Sequence, residues 1–220
     1  MNVRIPRLLL TMFLMSWSWT AAARVTVEVV SDGQPVQLHG AVVSFQPMDT
    51  ERAPRRESHS VSMEQINRQF RPFILPVPVN TPVLFPNLDE TAHHVYSFSK
   101  IRRFELPLYK GELPDPITFA NPGVVPLGCN IHDWMIGYIV VVDSPYFMQI
   151  DGDRGTIETI PPGRYEVQVW HPALDGRESL RELVEITANH TKFRFDLEFP
   201  LLSVGQPPPP VQRFDERLDY

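Results

Sequence analysis

The spacing of proline restricts the fold of this chain more than any other feature. Its 23 prolines are spread over 220 residues and stand between short apolar runs. Proline has no backbone N–H to donate and breaks the interior of a helix, so this spacing argues against long helices. Short runs rich in valine, isoleucine and phenylalanine between turn residues are typical of strands. The sequence therefore predicts an all-β protein.

The composition argues against one class of partner. The chain is 43% hydrophobic and 21% charged, which is ordinary for a globular protein, and its length allows one or two domains. The 20 lysines and arginines are outnumbered by 26 aspartates and glutamates, which gives a formal net charge of −6. Sequence-independent binding of nucleic acid requires a basic face. We therefore expect no nucleic-acid partner.

Both ends of the chain are predicted to lie outside the folded part. At the start, two arginines precede an apolar segment at 8–19, and three alanines at 21–23 offer a cleavage site. Residues 1–23 are therefore predicted to be a secretory signal peptide cleaved near Ala23. The apolar run of about 12 residues is shorter than the ~20 that a membrane-spanning helix needs, so we expect a periplasmic or secreted protein without stable membrane insertion. Residues 201–220 are rich in proline and charge, which predicts a disordered tail.

The first strands appear soon after the predicted leader. Residues 25–30 alternate valine with other side chains, a turn signal follows at 31–35, and residues 41–45 form a second apolar run. Alternation at period two indicates strands with one buried face, and we expect the two runs to form a hairpin-like pair. Two strands alone are marginally stable, so further strands must join them. Residues 144–200 supply several alternating segments, whereas residues 47–60 are predicted to be a linker.

Two motifs lie within these segments, Asp-Gly-Gln-Pro-Val at 32–36 and Pro-Pro-Gly-Arg-Tyr at 161–165. Together they resemble the carboxypeptidase regulatory-like sandwich, in which the two pieces are neighbours in sequence. The resemblance implies a discontinuous immunoglobulin- or transthyretin-like β-sandwich built from residues 24–56 and 144–200. Residues 61–143 would then be an insertion, which costs little because the entropy of closing a loop grows slowly with its length.

The only cysteine of the chain stands in a distinctive motif. Cys129, His132 and Met135 are spaced as Cys-x-x-His-x-x-Met, directly before the apolar run 136–142. Outside the cytoplasm most cysteines are paired, so a lone cysteine is a free thiol, an intermolecular bridge or a metal ligand. Thiolate, imidazole and thioether form a soft ligand set that favours copper, provided that a second histidine approaches. The alternative is that Cys129 and Met135 are ordinary buried side chains.

Two adjacent histidines are candidates for the remaining ligand. His93 and His94 stand at the start of a strand-like segment that continues with Val95. Consecutive side chains of a strand point to opposite faces of a sheet, so only one of the two can face the core. The pattern itself leaves open which of them does so.

These motifs resemble those of the cupredoxins. The loop at 129–135 resembles the copper loop of amicyanin-type members. The segment Val-x-Phe-x-Asn at 83–87 followed by His93 has the order in which plastocyanin-like chains present their first copper histidine. The pair of motifs His-His-Val-Tyr-Ser-Phe-Ser at 93–99 and Cys-Asn-Ile-His-Asp at 129–133 is also similar to bacterial proteins labelled methylamine utilisation proteins.

The resemblance implies a fold and a ligand set for residues 61–143. The fold would be a cupredoxin Greek-key β-sandwich that binds one type 1 copper ion. The implied ligands are His93, Cys129, His132 and Met135. In the same resemblance His94 occupies the position of a residue that braces the copper loop by hydrogen bonds, and it is also the alternative ligand to His93.

The resemblance implies one-electron transfer between redox partners, such as a cytochrome or a dehydrogenase, and no enzymatic activity. The exposed ring edge of His132, beside Asp133, would be the entry point for electrons. Two other functions stay open: a copper carrier or storage protein with the same ligands, and a metal-free scaffold or adhesion sandwich. An oxidase or nitrite reductase is disfavoured because such enzymes need further copper sites. The seven histidines include neither a His-x-His nor a His-Cys-His run.

One departure from amicyanin concerns the copper loop. Ile131 stands where amicyanin has a proline, so this chain keeps a backbone N–H at that position. If this N–H donates to the Cys129 sulfur, it withdraws electron density from the thiolate. We expect such a bond to favour Cu(I) and to raise the reduction potential.

Overall fold

The computed structural model describes residues 22–49, 59–174, 180–197, 201–202 and 204. Most of the predicted signal peptide and nearly all of the predicted tail therefore lie outside the described residues. Within the part of the chain that is described, no helix is long and apolar enough to cross a membrane.

The all-β prediction is confirmed, because the described residues form seventeen strands and contain no helix. The strands are β1 (Ala23–Ser31), β2 (Gln34–Pro35), β3 (Val42–Pro47), β4 (Val61–Ser62), β5 (Glu64–Ile66), β6 (Gln69–Arg71), β7 (Ile74–Pro78), β8 (Val83–Leu84), β9 (His93–Ser97), β10 (Phe104–Tyr109), β11 (Gly123–Cys129), β12 (Ile136–Val142), β13 (Phe147–Gln149), β14 (Arg154–Ile160), β15 (Gly163–Trp170), β16 (Leu180–Ile186) and β17 (Lys192–Leu197).

Strands from the two ends of the described chain form one sandwich, which we call the outer sandwich. Its first sheet has the order β14-β1-β17, and the short strand β2 also pairs with β1. Its second sheet has the order β13-β3-β15-β16. Alternate residues of β1, Val25, Val27 and Val29, are fully buried in a core that also contains Phe45 and Val167. The period-two pattern of β1 is therefore the inward face of this sheet.

The expected hairpin between residues 25–30 and 41–45 is wrong. β1 and β3 lie in different sheets and face each other across the core. Both edges of β1 are occupied, since it pairs antiparallel with β14 and parallel with β17. The turn after β1 instead closes the short pair of β1 and β2, and the chain then crosses to the second sheet.

The central part of the chain forms a second sandwich, the inner sandwich. Its main sheet has the order β10-β9-β11-β12-β7, and two short pairs, β4 with β8 and β5 with β6, accompany it. The apolar run 136–142 becomes β12, which pairs antiparallel with β11 and parallel with β7. The core between these elements contains the fully buried Phe70 and Phe119, and it also contains Cys129 and Met135.

An apolar cluster joins the two sandwiches. Trp170 of the outer sandwich lies 5.3 Å from Tyr138 of the inner sandwich, measured between ring centroids. Val42 and Val140 are buried in the same cluster. The Gln149 side chain donates a hydrogen bond of 3.1 Å to the carbonyl of Ile74, so apolar and polar contacts both connect the two halves.

The start of the predicted tail differs from the expectation. Leu201 packs against the core of the outer sandwich, and the backbone N–H of Leu202 donates to the carbonyl of Ala173 at 3.0 Å. These two residues therefore belong to the outer sandwich, Leu201 through its side chain and Leu202 through its backbone.

The outer core yields a prediction about stability. Phe45 is fully buried and its ring contacts those of Tyr165 and Phe193 edge-on, at centroid distances of 6.2 and 6.5 Å. We expect Phe45→Ala to lower the free energy of unfolding by about 3–5 kcal/mol, since it removes a large ring from a packed core. Leu183→Ala, at a 66% exposed position, should change it by less than about 0.5 kcal/mol. Denaturant titrations followed by circular dichroism measure both, and equal losses in the two variants would contradict the assignment of the core.

Candidate metal centre

The pairing of β9 with β11 brings the cysteine motif to the histidine pair. Cys129 is the last residue of β11 and lies opposite Val95 of β9. His93 is two residues before Val95 and shares its face, and all three side chains are buried. The Tyr96 side chain lies directly against Gly128, where a Cβ atom would be only 2.7 Å from it. Glycine at this position therefore allows the two strands to approach closely beside the sulfur.

Three ligand-type side chains converge at this point. The Cys129 Sγ atom lies 3.8 Å from Nδ1 of His93 and 3.9 Å from Nδ1 of His132. The ligand atoms of the three residues all lie within 4.8 Å of one another. Bonds of about 2.0 and 2.3 Å to a common ion at a trigonal angle of about 120° would separate nitrogen and sulfur by roughly 3.7 Å. The spacing therefore suits a metal bound by one sulfur and two nitrogens.

The fourth residue predicted from the motif lies in the same core. Met135 is fully buried and belongs to the same apolar cluster as Cys129. Its backbone N–H donates to the carbonyl of His132 at 2.9 Å, which closes a tight turn in the loop. The turn fixes the spacing between the histidine and the methionine, and the buried position keeps the thioether away from water.

His94 lies outside this group. The His94 side chain points to the opposite face of the sheet, where its Nε2 lies 2.7 Å from the carboxylate of Glu105 in the neighbouring strand β10. It therefore does not join the group that His93, Cys129 and His132 form. The alternation along β9 places His93 inward and His94 outward, which answers the question that the sequence left open. The contribution of His94 to the centre comes from its backbone N–H, which hydrogen bonds to the Cys129 sulfur.

The sequence did not reveal Asp89, which contacts His93 from behind. The His93 Nε2 atom lies 2.8 Å from Oδ2 of Asp89, and the Asp89 side chain is only 12% exposed. With Nε2–H donating to the carboxylate, Nδ1 faces the sulfur, so it can donate to the thiolate when the ring is protonated and can bind a metal when the ring is neutral. The only sequence signal is an acidic residue four positions before a candidate ligand, which is too common to predict such a contact.

Nitrogen donors surround the cysteine sulfur and change its acidity. Burial alone would raise the pKa of the Cys129 thiol, but hydrogen bonds from His93 and from the backbone N–H groups of His94, Ile131 and His132 lower this pKa from 9.0 to about 7. Burial also acts to lower the pKa of His93, yet its hydrogen bonds with Cys129 and Asp89 outweigh burial and raise it. Both pKa shifts act in the direction that stabilises a thiolate next to a protonated imidazole.

His132 is more buried than the sequence suggested. Its exposed fraction is 8%, and the Trp134 ring lies 5.1 Å from it. Burial is the largest influence that lowers the pKa of His132, followed by the charges of His93 and Arg68. Ile131 and Asp133 are exposed on either side of it. The expected open ring edge is thus largely covered, because an aromatic side chain two residues along the loop packs over it.

Part of the chain is similar to solved structures of copper proteins. No family model and no curated protein matches it. Among solved structures, it is similar to a copper-containing nitrite reductase from Thermus scotoductus SA-01, with 29% identity, a TM-score of 0.37, and coverage of 44% of this chain and 25% of the reductase. It is similar to an amicyanin variant in the Cu(I) form, with 21% identity, a TM-score of 0.35, and coverage of 38% and 82%. It is also similar to a purple cupredoxin from Nitrosopumilus maritimus, with 24% identity, a TM-score of 0.34, and coverage of 39% and 100%. The chain spans only a quarter of the reductase's length.

The surroundings of the sulfur predict how the metal-free protein responds to pH. Thiolate absorbance in the ultraviolet should appear with a midpoint near pH 7 rather than 9.0. Because the pKa is lowered by folding, the thiolate stabilises the folded state above pH 9, and this contribution disappears as the pH falls through about 7. The free energy of unfolding should therefore rise with pH relative to Cys129→Ser across that window. A thiol that titrates near pH 9, or a difference between the two proteins that is constant with pH, would contradict the assignment of these donors.

Proposed function

We propose that the inner sandwich binds one type 1 copper ion and that the protein acts as a one-electron carrier. His93, Cys129 and His132 would hold the ion, with Met135 as a weaker thioether ligand. The observation that carries the proposal is the position of the Cys129 sulfur, 3.8 and 3.9 Å from two imidazole nitrogens. One thiolate and two imidazoles with a thioether nearby are the donor set of blue-copper sites. When bound, copper supplies reversible exchange of one electron between Cu(II) and Cu(I).

The residues around the site suit a carrier better than a storage or delivery protein. The exposed fractions of His93, Cys129, His132 and Met135 are 0%, 4%, 8% and 0%. A protein that passes its metal to a partner needs ligands that the partner can reach, whereas a carrier of electrons needs fixed ligands and little water. The hydrogen bond between His93 and Asp89 keeps the imidazole oriented in both oxidation states.

A second arrangement in the same residues points to an enzyme, and burial argues against it. Cys129, His93 and Asp89 stand in the order of nucleophile, base and orienting carboxylate that thiol hydrolases use. However, the Cys129 side chain is 4% exposed, so a substrate carbonyl has no access to the sulfur. The Nδ1 atom of His132, which lies 3.9 Å from the Cys129 sulfur, would have no role in a thiol hydrolase of this kind. A metal site, in contrast, requires this nitrogen as a ligand. We therefore propose that the protein is not an enzyme.

The surface beside the site supports a proposal about the partner. Exposed apolar side chains flank the buried ligands, since Ile131 next to His132 is 51% exposed and Leu88 next to Asp89 is 61% exposed. Weak redox complexes use small interfaces of this kind. We propose, from the leader-like residues 1–23, that the protein works in the periplasm or outside the cell. Its partner there would be a redox protein, such as a cytochrome or a dehydrogenase.

Spectra and a potentiometric titration of the copper-loaded protein test the proposal. We expect one copper ion per chain, an intense visible band from Cu(II)–thiolate charge transfer, a narrow copper hyperfine splitting in paramagnetic resonance, and reversible one-electron reduction. Cys129→Ser should lose the band, and Met135→Leu should keep it with a higher potential, because a weak axial ligand that favours Cu(II) is removed. A colourless Cu(II) form would instead favour a carrier of copper, and failure to bind copper would favour a metal-free scaffold.

The loop position that departs from amicyanin gives a second test. The backbone N–H of Ile131 is one of the groups that lower the pKa of the Cys129 thiol. Ile131→Pro removes this donor, so we expect a higher thiol pKa in the metal-free protein and a lower reduction potential in the copper form. Ile131→Val keeps the N–H and serves as the control. An unchanged or higher potential in the proline variant would contradict the role given to this hydrogen bond.

A further inference from the structure

A strained turn lies next to the candidate metal centre. Asn67 and Arg68 connect β5 to β6, and both have positive φ angles, 54° and 58°. A two-residue hairpin loop with two positive φ angles is a type I′ turn, which favours asparagine followed by glycine. Asparagine at the first position fits this preference. Arginine at the second position does not, because its Cβ crowds the backbone in the left-handed region.

The carboxylate of Asp89 connects this turn to the candidate ligand His93. Its Oδ1 accepts the backbone N–H of Asn67 at 2.6 Å and its Oδ2 accepts that of Arg68 at 2.7 Å. The same Oδ2 accepts Nε2–H of His93 at 2.8 Å. One buried carboxylate therefore receives donors from the turn on one side and from the imidazole on the other. Hydrogen bonds to an ionised acceptor are the stronger kind, so the position of the turn is transmitted to the ring.

Hydrogen bonds within the segment that precedes β9 also hold Asp89 in place. Its backbone N–H donates to Oδ1 of Asn87 at 3.0 Å. The Asn87 amide in turn donates to the carbonyls of Thr91 and Tyr109, both at 3.0 Å. The segment that leads into β9 is therefore held without any metal. The imidazole is thus oriented in advance, which is what a site of fixed geometry requires.

We propose that the Asn67-Arg68 turn is an outer part of the metal centre, in which Asp89 is a positioning residue for His93 and the backbone of the turn holds Asp89. This inference rests on the proposed copper site. Strain at a residue with positive φ persists where the surroundings compensate it. Here the Asp89 carboxylate compensates the backbone of Arg68 by accepting its N–H at 2.7 Å.

The first experiment uses the metal-free full chain, so it does not depend on the copper site. Nuclear magnetic resonance follows the Nε2 proton of His93 and the amide exchange of residues 67 and 68. We expect Asp89→Ala to lose the slowly exchanging imidazole proton and to speed exchange of both amides by at least tenfold, since their acceptor is removed. Arg68→Gly keeps the N–H and should keep that proton. Asp32→Gly, in the β1–β2 turn where Asp32 has a φ of 50°, is the control for relief of strain far from the site. Wild-type exchange at both amides in Asp89→Ala would overturn the inference.

The second experiment measures Cu(I) affinity by competition with a chelator. Asp89→Ala should weaken binding by about 10–100-fold, the usual effect of losing a hydrogen-bond partner of a ligand. Asp89→Asn keeps the size of the side chain, so it should give a smaller loss, and it replaces the alanine variant if that variant does not fold. Arg68→Gly keeps the backbone N–H that Asp89 accepts and should bind Cu(I) as tightly as the wild type. If the wild type forms a blue copper site and Asp89→Ala and Asp89→Asn bind copper as well as it does, the inference is wrong. If the wild type forms no such site, the proposed function is wrong, and the metal-free measurements still decide whether the turn orients His93.

Discussion

A buried sulfur surrounded by nitrogen atoms is the interaction on which the inner sandwich depends. Cys129 is 4% exposed, and burial of a thiolate is unfavourable unless donors and positive charge compensate it. Two imidazole nitrogens and three backbone N–H groups meet this requirement. They come from β9, which is far from the cysteine in sequence, and from the loop that follows the cysteine. The pairing of β9 with β11 is therefore what makes the chemistry possible.

The remaining structure holds these two elements in place. β11 pairs with β9 on one side and with β12 on the other, and β12 also contributes Tyr138 to the contact with Trp170 of the outer sandwich. The outer sandwich thus packs against the strand that directly follows the ligand loop. On the opposite side of His93, Asp89 and the turn before β6 brace the imidazole. Contacts from the outer sandwich and from the turn thus support the elements that carry the candidate ligands, and supported ligands are what the proposed copper site would require.

The sequence could predict the features that depend on local spacing. The interval between Cys129, His132 and Met135 indicated a soft metal site, and alternation along one strand indicated that only one of His93 and His94 can face the core, without deciding which. Features that depend on tertiary packing could not be predicted. The partner of β1 is set by strands near the end of the chain, so the nearby run 41–45 was wrongly paired with it. Asp89 has no motif of its own, and the cover that Trp134 gives to His132 follows from how the loop folds.

X-ray absorption at the copper edge of the loaded protein tests the proposed copper site most directly. We expect one copper ion per chain with a single short copper–sulfur bond and two imidazole nitrogens, and we expect Cys129→Ser to lose the sulfur contribution. Copper that is surrounded only by nitrogen and oxygen in the wild type, or a spectrum that Cys129→Ser leaves unchanged, would contradict a site built on the Cys129 sulfur.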